Sequence, residues 1–365
     1  MKKVVVIVVV ALLMLLCGCQ EIASSVPIVT NSTDNEPNTF QTKPTEQNCY
    51  FGHTVNDDLD VCTVCGMDYY SATLEFKRES TGYKLMGLGT CTRAVVIVPE
   101  IYNGMPVKTV CQLIPKGEIN KTVTEIVLPS SISRIEDAAF ARLQSLKKIN
   151  IPEGITMLPE STFAGCLALE GVALPQSLNA IGKYAFAQCE SIVEVKIPEN
   201  VAVIGESAFA RCSKLQKVQL IDGTTCVERI IHESAFEHCN SLNNVLLGEQ
   251  IVSIGDSAFA NCTALISIIL PDSLKEMGKN VFMGCIFMKI IVIGSGLHTI
   301  TEGMISYAPN AVLFFHGTEQ AWENIADGMN CTADELYFYS ETQPTEPGHY
   351  WHYVDGVPTP WETEE

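Results

Sequence analysis

The stretch that decides the fold is VKIPENVAVIGESAFARC at residues 195–212, because the segments on both sides repeat its arrangement. Its phenylalanine belongs to a series separated by 23, 23, 27, 23 and 23 residues: Phe163, Phe186, Phe209, Phe236, Phe259 and Phe282. A cysteine follows each of them three positions later: Cys166, Cys189, Cys212, Cys239, Cys262 and Cys285. Several residue positions that recur at the same spacing indicate a solenoid of stacked coils.

The repeating unit reads L-x-x-I-x-I-P, then a loop, then I-G-x-x-A-F-x-x-C. The alternation of apolar residues before the proline predicts a short strand with one buried face. Proline fits the end of that strand, where its missing N–H leaves the ladder intact. One unit has no core of its own, so its apolar residues become buried only when coils stack.

The motifs resemble those of the BspA-like leucine-rich repeat family of bacterial surface proteins. The segments that carry the resemblance are IVLPSSISRIEDAAF (126–140), INIPEGITMLPESTFAGC (149–166), VALPQSLNAIGKYAFAQC (172–189) and IILPDSLKEMGKNVFMGC (268–285), and it extends over roughly residues 93–318. The resemblance implies an α/β repeat fold, a leucine-rich-repeat solenoid. Parallel strands are expected on its concave face, short helical or irregular arches on its convex side, and β-rich caps at its ends.

The N-terminus has the features of an export signal. Met1-Lys2-Lys3 is a basic start, and the apolar run from Val4 to Leu16 is too short to span a bilayer as a helix. The run ends in Leu16-Cys17-Gly18-Cys19, which resembles the bacterial lipobox; the resemblance implies a signal peptide at 1–18 and a diacylglycerol on Cys19. The alternative is a plain secretory signal with an incidental cysteine. Residues 19–48 are rich in Ser, Thr, Asn and Pro, which predicts a disordered tether.

A small Cys/His module is predicted at residues 49–70. Cys49, His53, Cys62 and Cys65 have the residue types and the Cys-x2-Cys spacing of a tetrahedral zinc site. A disulfide, or a module that has lost its metal, explains the same residues, and the three interpretations stay open. With four protein ligands a zinc ion here would be structural. It is the single candidate cofactor, and the predicted function requires none.

The rest of the chain divides into caps and coils. Residues 71–122 are predicted to form an N-terminal cap and an irregular first coil, 123–318 the solenoid, and 319–365 a C-terminal aromatic cap. The four-residue excess in the repeat falls in 222–229, where a loop can absorb it. In the last cap the pattern predicts a short helix at 319–326, a strand at 336–340 and a hairpin that turns at Asp355-Gly356.

The charge distribution and the absence of catalytic motifs exclude several functions. The net charge is −19, and after Lys289 the chain has no Lys or Arg but twelve Asp and Glu residues. This argues against binding to nucleic acid or to anionic lipid surfaces. The sequence contains no G-x-S-x-G, phosphate-binding glycine loop or H-E-x-x-H motif. The cysteine series is predicted to point inward and to pack as small hydrophobic side chains.

The outward-facing strand positions predict where a partner binds. The third and fifth residues of L-x-x-I-x-I face the open concave side, and in the early coils most of them are polar or small. In the late coils six of these positions are large and apolar: Leu246, Ile269, Ile290, Val292, Leu313 and Phe315. Such a group is larger than the apolar patches that soluble monomers usually expose. It is either a binding patch or a surface covered by the aromatic tail, residues 350–361.

These observations predict a non-enzymatic lipoprotein, anchored outside the bacterial cell membrane and exposed at the surface. Its solenoid is expected to bind macromolecules, in an adhesin or protein-interaction role, with a protein or glycan on another cell surface as partner. The alternative is a structural cell-envelope protein, or the capture subunit of a larger system, without a host ligand. Both functions rest on the resemblance, because a fold by itself does not define a function.

Overall fold

The structure is a computed structural model that describes residues 73–223, 228–300, 311–325, 336–345 and 348–361, with the backbone of 55–56 and 61–62. The predicted lipid-attachment residue, the tether and most of the Cys/His module lie outside these residues. Across the described residues, successive coils stack in one direction and are joined by parallel strand pairs. The prediction of a leucine-rich-repeat solenoid with parallel strands is confirmed.

The N-terminal part is formed by the strands β1 Val55–Asn56, β2 Val61–Cys62, β3 Glu75–Arg78, β4 Tyr83–Gly87, β5 Val95–Ile97, β6 Ile101–Tyr102 and β7 Met105–Val110. Strand β4 pairs antiparallel with β3 and parallel with β7, and so joins the cap to the coils. The β6–β7 hairpin turns at Asn103 and Gly104, whose φ angles are 47° and 77°. Two successive residues with positive φ suit a two-residue hairpin loop.

The coils contribute two short strands each in most repeats. In chain order these strands are β8 Glu125–Val127, β9 Arg134–Ile135, β10 Lys148–Ile149, β11 Met157–Leu158, β12 Ala180–Ile181, β13 Glu194–Ile197, β14 Val203–Ile204, β15 Lys217–Leu220, β16 Arg229–Ile231, β17 Asn244–Leu246, β18 Ile251–Ile254, β19 Ser267–Leu270, β20 Glu276–Met277 and β21 Ile290–Ile293. The strands of the L-x-x-I-x-I segments (β5, β8, β10, β13, β15, β17, β19 and β21) line the concave face. Strands β11, β12, β14, β16, β18 and β20 form a second parallel ladder, which we call the lateral sheet, and β9, at the same repeat position, pairs with β7 and not with β11.

Between the two sheets lies a core made of identical side chains in register. Neighbouring phenylalanine rings from Phe140 to Phe259 stack with centroids 5.0–5.3 Å apart, and the last pair, Phe259 and Phe282, is separated by 6.2 Å. All seven rings are buried. Ile181 and Ile204 of the lateral sheet and Val195 and Ile197 of the concave sheet enclose them. Each coil therefore completes the core of the next one, as the repeat predicts.

The arches around the phenylalanines are turns, and within the described coils they contain no helix. Of the two predicted alternatives, short helical or irregular arches, the irregular one is observed. Each arch has a residue with positive φ two positions before the phenylalanine and another two positions after it; around Phe209 these are Ser207 (52°) and Arg211 (63°). Backbone N–H groups of one arch donate to carbonyls of the next, for example Phe186 to Ala208 at 2.7 Å. These bonds between coils replace the bonds that a helix would make internally.

The four-residue excess is accommodated beside the lateral sheet, as predicted. It follows β15, and the ladder between β16 and β18 shifts register between Arg229 and Ile230. Arg229 is buried there, and its Nη2 donates to the carbonyl oxygens of Glu199 and Ile221. Burial lowers the pKa of this guanidinium below its usual value. The arginine thus satisfies carbonyl groups that the longer loop leaves near the core.

The C-terminal part is formed by β22 Val312–Phe315, the helix α1 Glu319–Ile325, β23 Leu336–Tyr339, β24 Tyr350–Val354 and β25 Val357–Pro360. These confirm the predicted helix, strand and hairpin. The hairpin turns at Asp355 and Gly356, whose φ angles are 50° and 77°. No helix among the described residues is long and apolar enough to cross a membrane.

The last strand has an outer edge that cannot donate hydrogen bonds to another strand. The N–H of Trp361 donates to Tyr350, so by alternation Val357 and Thr359 also face β24. Pro358 and Pro360 occupy the outward positions, and proline has no N–H. The prolines therefore prevent further strands from adding at this end of the sheet.

Candidate functional site

The concave face is polar through its middle coils. On β13 and β15 the outward residues are Glu194, Lys196, Lys217 and Gln219, while Val195 and Val218 between them are buried. The Lys217 ammonium lies 3.2 Å from the Glu194 carboxylate across the two strands. Because these groups are partly exposed, the pair adds little stability. It leaves a surface of mixed charge that a partner can contact.

The next two coils change this surface from polar to apolar. Leu246 on β17 and Ile269 on β19 follow Gln219 in the same outward row, and they are 46% and 51% exposed. They are among the few large apolar side chains that remain open on the described surface. This confirms the predicted exposure of these two residues. We call Leu246 and Ile269 the open strip.

The remaining four residues of the predicted patch are not exposed, and for them the prediction of an open surface is wrong. Ile290 and Val292 are only 8% and 2% exposed, because they pack in one cluster with Phe314 and Trp351. Leu313 and Phe315 are buried on the opposite side of their strand, in the core of the solenoid. The pairing of Ile290 with Val312 and of Val292 with Phe314 shows why: the outward residues of β22 are Val312 and Phe314.

The aromatic tail covers this end of the concave face, as the second of the two sequence interpretations anticipates. Trp351 is fully buried, and its Nε1 donates to the carbonyl oxygen of Phe315 at 3.0 Å. Its ring makes edge contacts with Phe314 at 5.4 Å and Tyr339 at 5.2 Å between centroids. Burial of an aromatic ring with its polar atom satisfied is strongly stabilising. The tail therefore divides the apolar row into a covered part and the open strip.

A polar cluster borders the open strip on the side where the concave strands end. Asp272, three residues after Ile269, lies 2.9 Å from Nδ1 of His316 and accepts hydrogen bonds from the backbone N–H and the hydroxyl of Ser295. Burial alone would raise the pKa of Asp272, but the bonds from Ser295 and His316 outweigh it and lower the pKa below its usual value. The His316 ring also contacts Tyr339 and Tyr353.

Tyr353 brings an aromatic side chain to the same border. It is partly exposed, and burial, followed by the negative charge of Asp272, raises the pKa of its phenol above the usual value. The phenol is therefore neutral at physiological pH and available as a hydrogen-bond donor or acceptor. An apolar strip beside a tyrosine and a carboxylate has the composition of a protein-recognition surface. Sequence reasoning missed this cluster, because His316, Asp272 and Tyr353 are distant in the chain.

The cysteine series is part of the core, and burial keeps its thiols in the protonated, unreactive form. Each thiol donates to the carbonyl oxygen of the phenylalanine in the preceding coil, for example Cys189 to Phe163 at 3.2 Å. Burial raises the pKa of the Cys166, Cys212 and Cys285 thiols to about 12. Thiolate is the reactive form of cysteine, so these residues are inert in the folded protein. The prediction that they point inward is confirmed.

The predicted lipid and metal residues cannot be placed from the described part of the chain. Cys19, Cys49, His53 and Cys65 lie outside it, and only the backbone of Cys62 is described, opposite Val55 in the β1–β2 pair. Among the described residues, no group of three or more His, Cys, Asp or Glu side chains could hold a metal ion. The zinc site and the lipid attachment remain predictions.

Comparisons with known proteins identify the repeats. A family model described as "BspA type Leucine rich repeat region" matches residues 119–229 and 227–315, with 6 copies. A T. pallidum leucine-rich repeat protein is 27% identical, with a TM-score of 0.47, over 53% of this chain and 88% of that one. A leucine-rich repeat protein from Bacteroides ovatus ATCC 8483 is 29% identical, with a TM-score of 0.46, over 67% of this chain and 69% of that one. A search of the curated proteins found no match.

Proposed function

The chain belongs to the BspA-type leucine-rich repeat family, and from this premise we propose that it is a non-enzymatic protein that binds another macromolecule through its concave face. Membership in the family indicates a protein-interaction or structural role. The single observation that carries the finer proposal is the open strip. Two large apolar side chains on consecutive coils remain exposed, although the tail buries the apolar residues Ile290 and Val292 of the adjoining coil.

The geometry of the strip supports a macromolecular partner. The outward residues from Lys196 to Ile269 lie on strands spaced about 4.8 Å apart, which gives a slightly curved surface rather than an enclosed pocket. Interfaces of this kind combine a small apolar centre with a polar rim. Here the centre is Leu246 and Ile269, and the rim is formed by Glu194, Lys217 and the cluster around Asp272. These features fit a protein surface best as the partner. In the cell, binding of this kind corresponds to an adhesin role.

We extend the proposal to the location of the protein. The lipobox-like sequence that ends at Cys19 supports a diacylglycerol anchor outside the cytoplasmic membrane, and the segment 20–48 supports a tether between this anchor and the solenoid. A Cys19→Ser variant that still partitions with membranes after maturation would contradict the anchor. Surface proteolysis of intact cells tests whether the solenoid is exposed.

The experiment for the binding function compares two apolar-to-lysine substitutions. The purified protein is applied to a panel of immobilised extracellular proteins and glycans, and Ile269→Lys is tested against every ligand that the unaltered protein binds. A charge at the centre of the apolar strip should weaken binding by at least about tenfold, or 1.4 kcal/mol. The thermal midpoint should change little, since Ile269 is half exposed.

The matched control is Phe287→Lys. Phe287 is 58% exposed but lies in the turn before β21, away from the concave row. The Phe287→Lys variant also replaces an apolar side chain of similar exposure by lysine, and it should leave binding intact. Equal binding by the unaltered protein and Ile269→Lys would show that the strip is not the interface. Binding to no member of the panel would favour the structural envelope role.

A further inference from the structure

The outer surface of the lateral sheet presents a row of aligned residues that is distinct from the concave face. Strand pairing places one outward side chain of each coil in line: Met157, Ala180, Val203, Ile230, Ser253 and Glu276. Arg134 occupies the same position on β9, one repeat before Met157. Each of these residues is followed by a buried one, such as Ile204 after Val203. The row therefore faces away from the core, on a side of the coil different from the concave face.

The middle of this row is apolar and unpartnered among the described residues. Met157 is 53% exposed, and Ala180, Val203 and Ile230 are partly exposed. None of the four belongs to, or packs against, the buried clusters of the core. Val252, next to Ser253 on β18, adds a further partly exposed apolar residue. A flat apolar stripe on a sheet is a common feature of protein interfaces.

The two ends of the row carry opposite charges. Arg134 is exposed at the N-terminal end, with only a long contact of 3.8 Å to Glu136, and Glu276 is exposed at the C-terminal end. Positions at an equal number of coils from Val203 on its two sides form pairs: Ala180 with Ile230, Met157 with Ser253, and Arg134 with Glu276. The row is thus complementary to a second, antiparallel copy of itself. Self-complementarity of this type is the requirement for a twofold interface.

A groove at the N-terminal end provides room for the acidic end of a second copy. Its volume is about 1130 Å³, and the lining includes Lys77, Arg78 and Arg134 together with the side chains of Met86 and Met157. Lys84, also in the lining, is already paired with Glu136 at 2.8 Å and Glu79 at 3.1 Å. The other three basic side chains remain near the surface, in a chain whose net charge is −19. The lining also contains Glu79, Glu136 and Asp137, so the groove has mixed charge with a small basic excess, and Lys77, Arg78 and Arg134 are the groups that an acidic side chain of a second copy can approach.

We propose that the lateral face is a self-association surface, on which two copies of the chain pack antiparallel about a twofold axis at Val203. In this arrangement Arg134 of each copy faces Glu276 of the other, and the apolar residues around Val203 form the centre. Methionine side chains adapt to irregular surfaces, which suits Met86 and Met157 at the groove. The concave face stays open in both copies, so self-association and partner binding are independent.

The size of the face predicts a weak, salt-sensitive dimer. Five steps of the lateral sheet separate Met157 from Glu276, which gives a length of about 24 Å, and Arg134 lies one repeat further along the chain of coils. An interface built on such a narrow face is at the low end of specific interfaces, below about 1,200 Å² in total. We therefore expect a dimer that dissociates on dilution. Its charged ends are solvent-exposed, so salt that shortens the Debye length should weaken it.

The test is a charge exchange followed by sedimentation of the purified protein over a range of concentrations. Arg134→Glu alone and Glu276→Arg alone should each shift the dimer to monomer, because each places like charges opposite one another. The double variant Arg134→Glu, Glu276→Arg should restore the dimer. Lys214→Glu, a charge reversal at an exposed position between the arch and β15, is the control and should sediment like the unaltered protein.

A second variant tests the position of the axis and does not depend on the charges. Val203→Cys should form a disulfide between two copies under mild oxidation, because a twofold axis brings the two residues 203 together. Circular dichroism and the thermal midpoint verify that each variant is folded. A monomeric unaltered protein at all concentrations, or failure of the double charge exchange to restore the dimer, would overturn the proposal. Absence of the Val203→Cys disulfide in a dimeric protein would overturn the placement of the axis.

Discussion

Replacing Phe209 by alanine should lower the free energy of unfolding by about 3–5 kcal/mol. The ring is fully buried and stacks on Phe186 at 5.0 Å and on Phe236 at 5.3 Å, with interplanar angles of 5° and 3°. Its removal creates a cavity between two coils and deprives both neighbours of one stacking partner. The backbone hydrogen bonds of the arches hold the coils at a fixed spacing, so the cavity cannot close. Denaturant unfolding, monitored by circular dichroism, gives the value.

Phe287→Ala is the matched control for this prediction. It removes the same side chain from a position that is 58% exposed, and the expected change is within about 0.5 kcal/mol. A loss below about 1 kcal/mol for Phe209→Ala would mean that the stacked rings are not the source of stability. Similar losses for both variants would mean that burial does not distinguish the two phenylalanines.

Replacing Trp351 by alanine should cost about 3–5 kcal/mol, and the loss should be confined to the C-terminal end. Trp351 is the residue that attaches the tail to Ile290, Val292 and Phe314, and its Nε1 also satisfies the carbonyl of Phe315. Without it, the hairpin β24–β25 has few buried contacts, because Tyr353 and Val354 are already exposed. We expect hydrogen exchange to become fast in β24 and β25 while the coils from β11 to β18 keep their protection.

Trp351→Phe separates the ring from its hydrogen bond. It keeps most of the apolar contact but leaves the Phe315 carbonyl without its donor, so the loss should be about 1–3 kcal/mol. Unchanged exchange in the hairpin of Trp351→Ala would contradict the role of this residue in covering the concave face. Faster exchange throughout the coils would show that the tail supports the whole solenoid.

The sequence predicts those features that repeat. Phe209 has an equivalent in each coil from Phe140 to Phe282, and Cys212 has one in each coil from Cys166 to Cys285, so their inward direction follows from the stacking requirement and needs no knowledge of the rest of the chain. The Asp355-Gly356 turn is predicted for a similar reason, since both residues tolerate the positive φ that a two-residue hairpin needs. Alternation within β13 and β15 likewise indicates which side chains face outward.

The features that depend on chain segments far apart could not be predicted. The repeat pattern lapses after Cys285, so no local pattern defines the register of β22, and the predicted outward direction of Leu313 and Phe315 is wrong. The cover over Ile290 and Val292 comes from Trp351, about sixty residues later. Such contacts have no local signal, because periodicity reports only on neighbouring residues.

The lateral sheet and the positive φ angles of the arches could not be predicted for a different reason. Strands of two residues, such as β12 and β14, are too short to produce a recognisable alternation. Positive φ angles are normally signalled by glycine, but in the arches they occur at Tyr184, Gln188 and Arg211. These residues adopt the conformation because the bonds between coils impose it, and the sequence of one coil does not reveal this.

Thiol labelling of the folded protein, read for each cysteine by mass spectrometry of its peptides, directly tests which side chains are closed off from solvent. In the structure the phenylalanine and cysteine core is closed, and the concave row is open at Ile269 but covered at Val292. Labelling is therefore compared in the unaltered protein, in Ile269→Cys and in Val292→Cys. An exposed thiol has a pKa near 8.5 and reacts readily, whereas a buried thiol reacts only when the structure opens.

We expect Cys189, Cys212 and Cys239 to stay unlabelled until denaturant is added. The new cysteine of Ile269→Cys should be labelled rapidly, and the new cysteine of Val292→Cys should not. Adding Trp351→Ala to Val292→Cys should make that position reactive as well. Rapid labelling of the native core cysteines, or equal reactivity of the cysteines introduced at 269 and 292, would show that the core is not closed or that the tail does not cover the concave face.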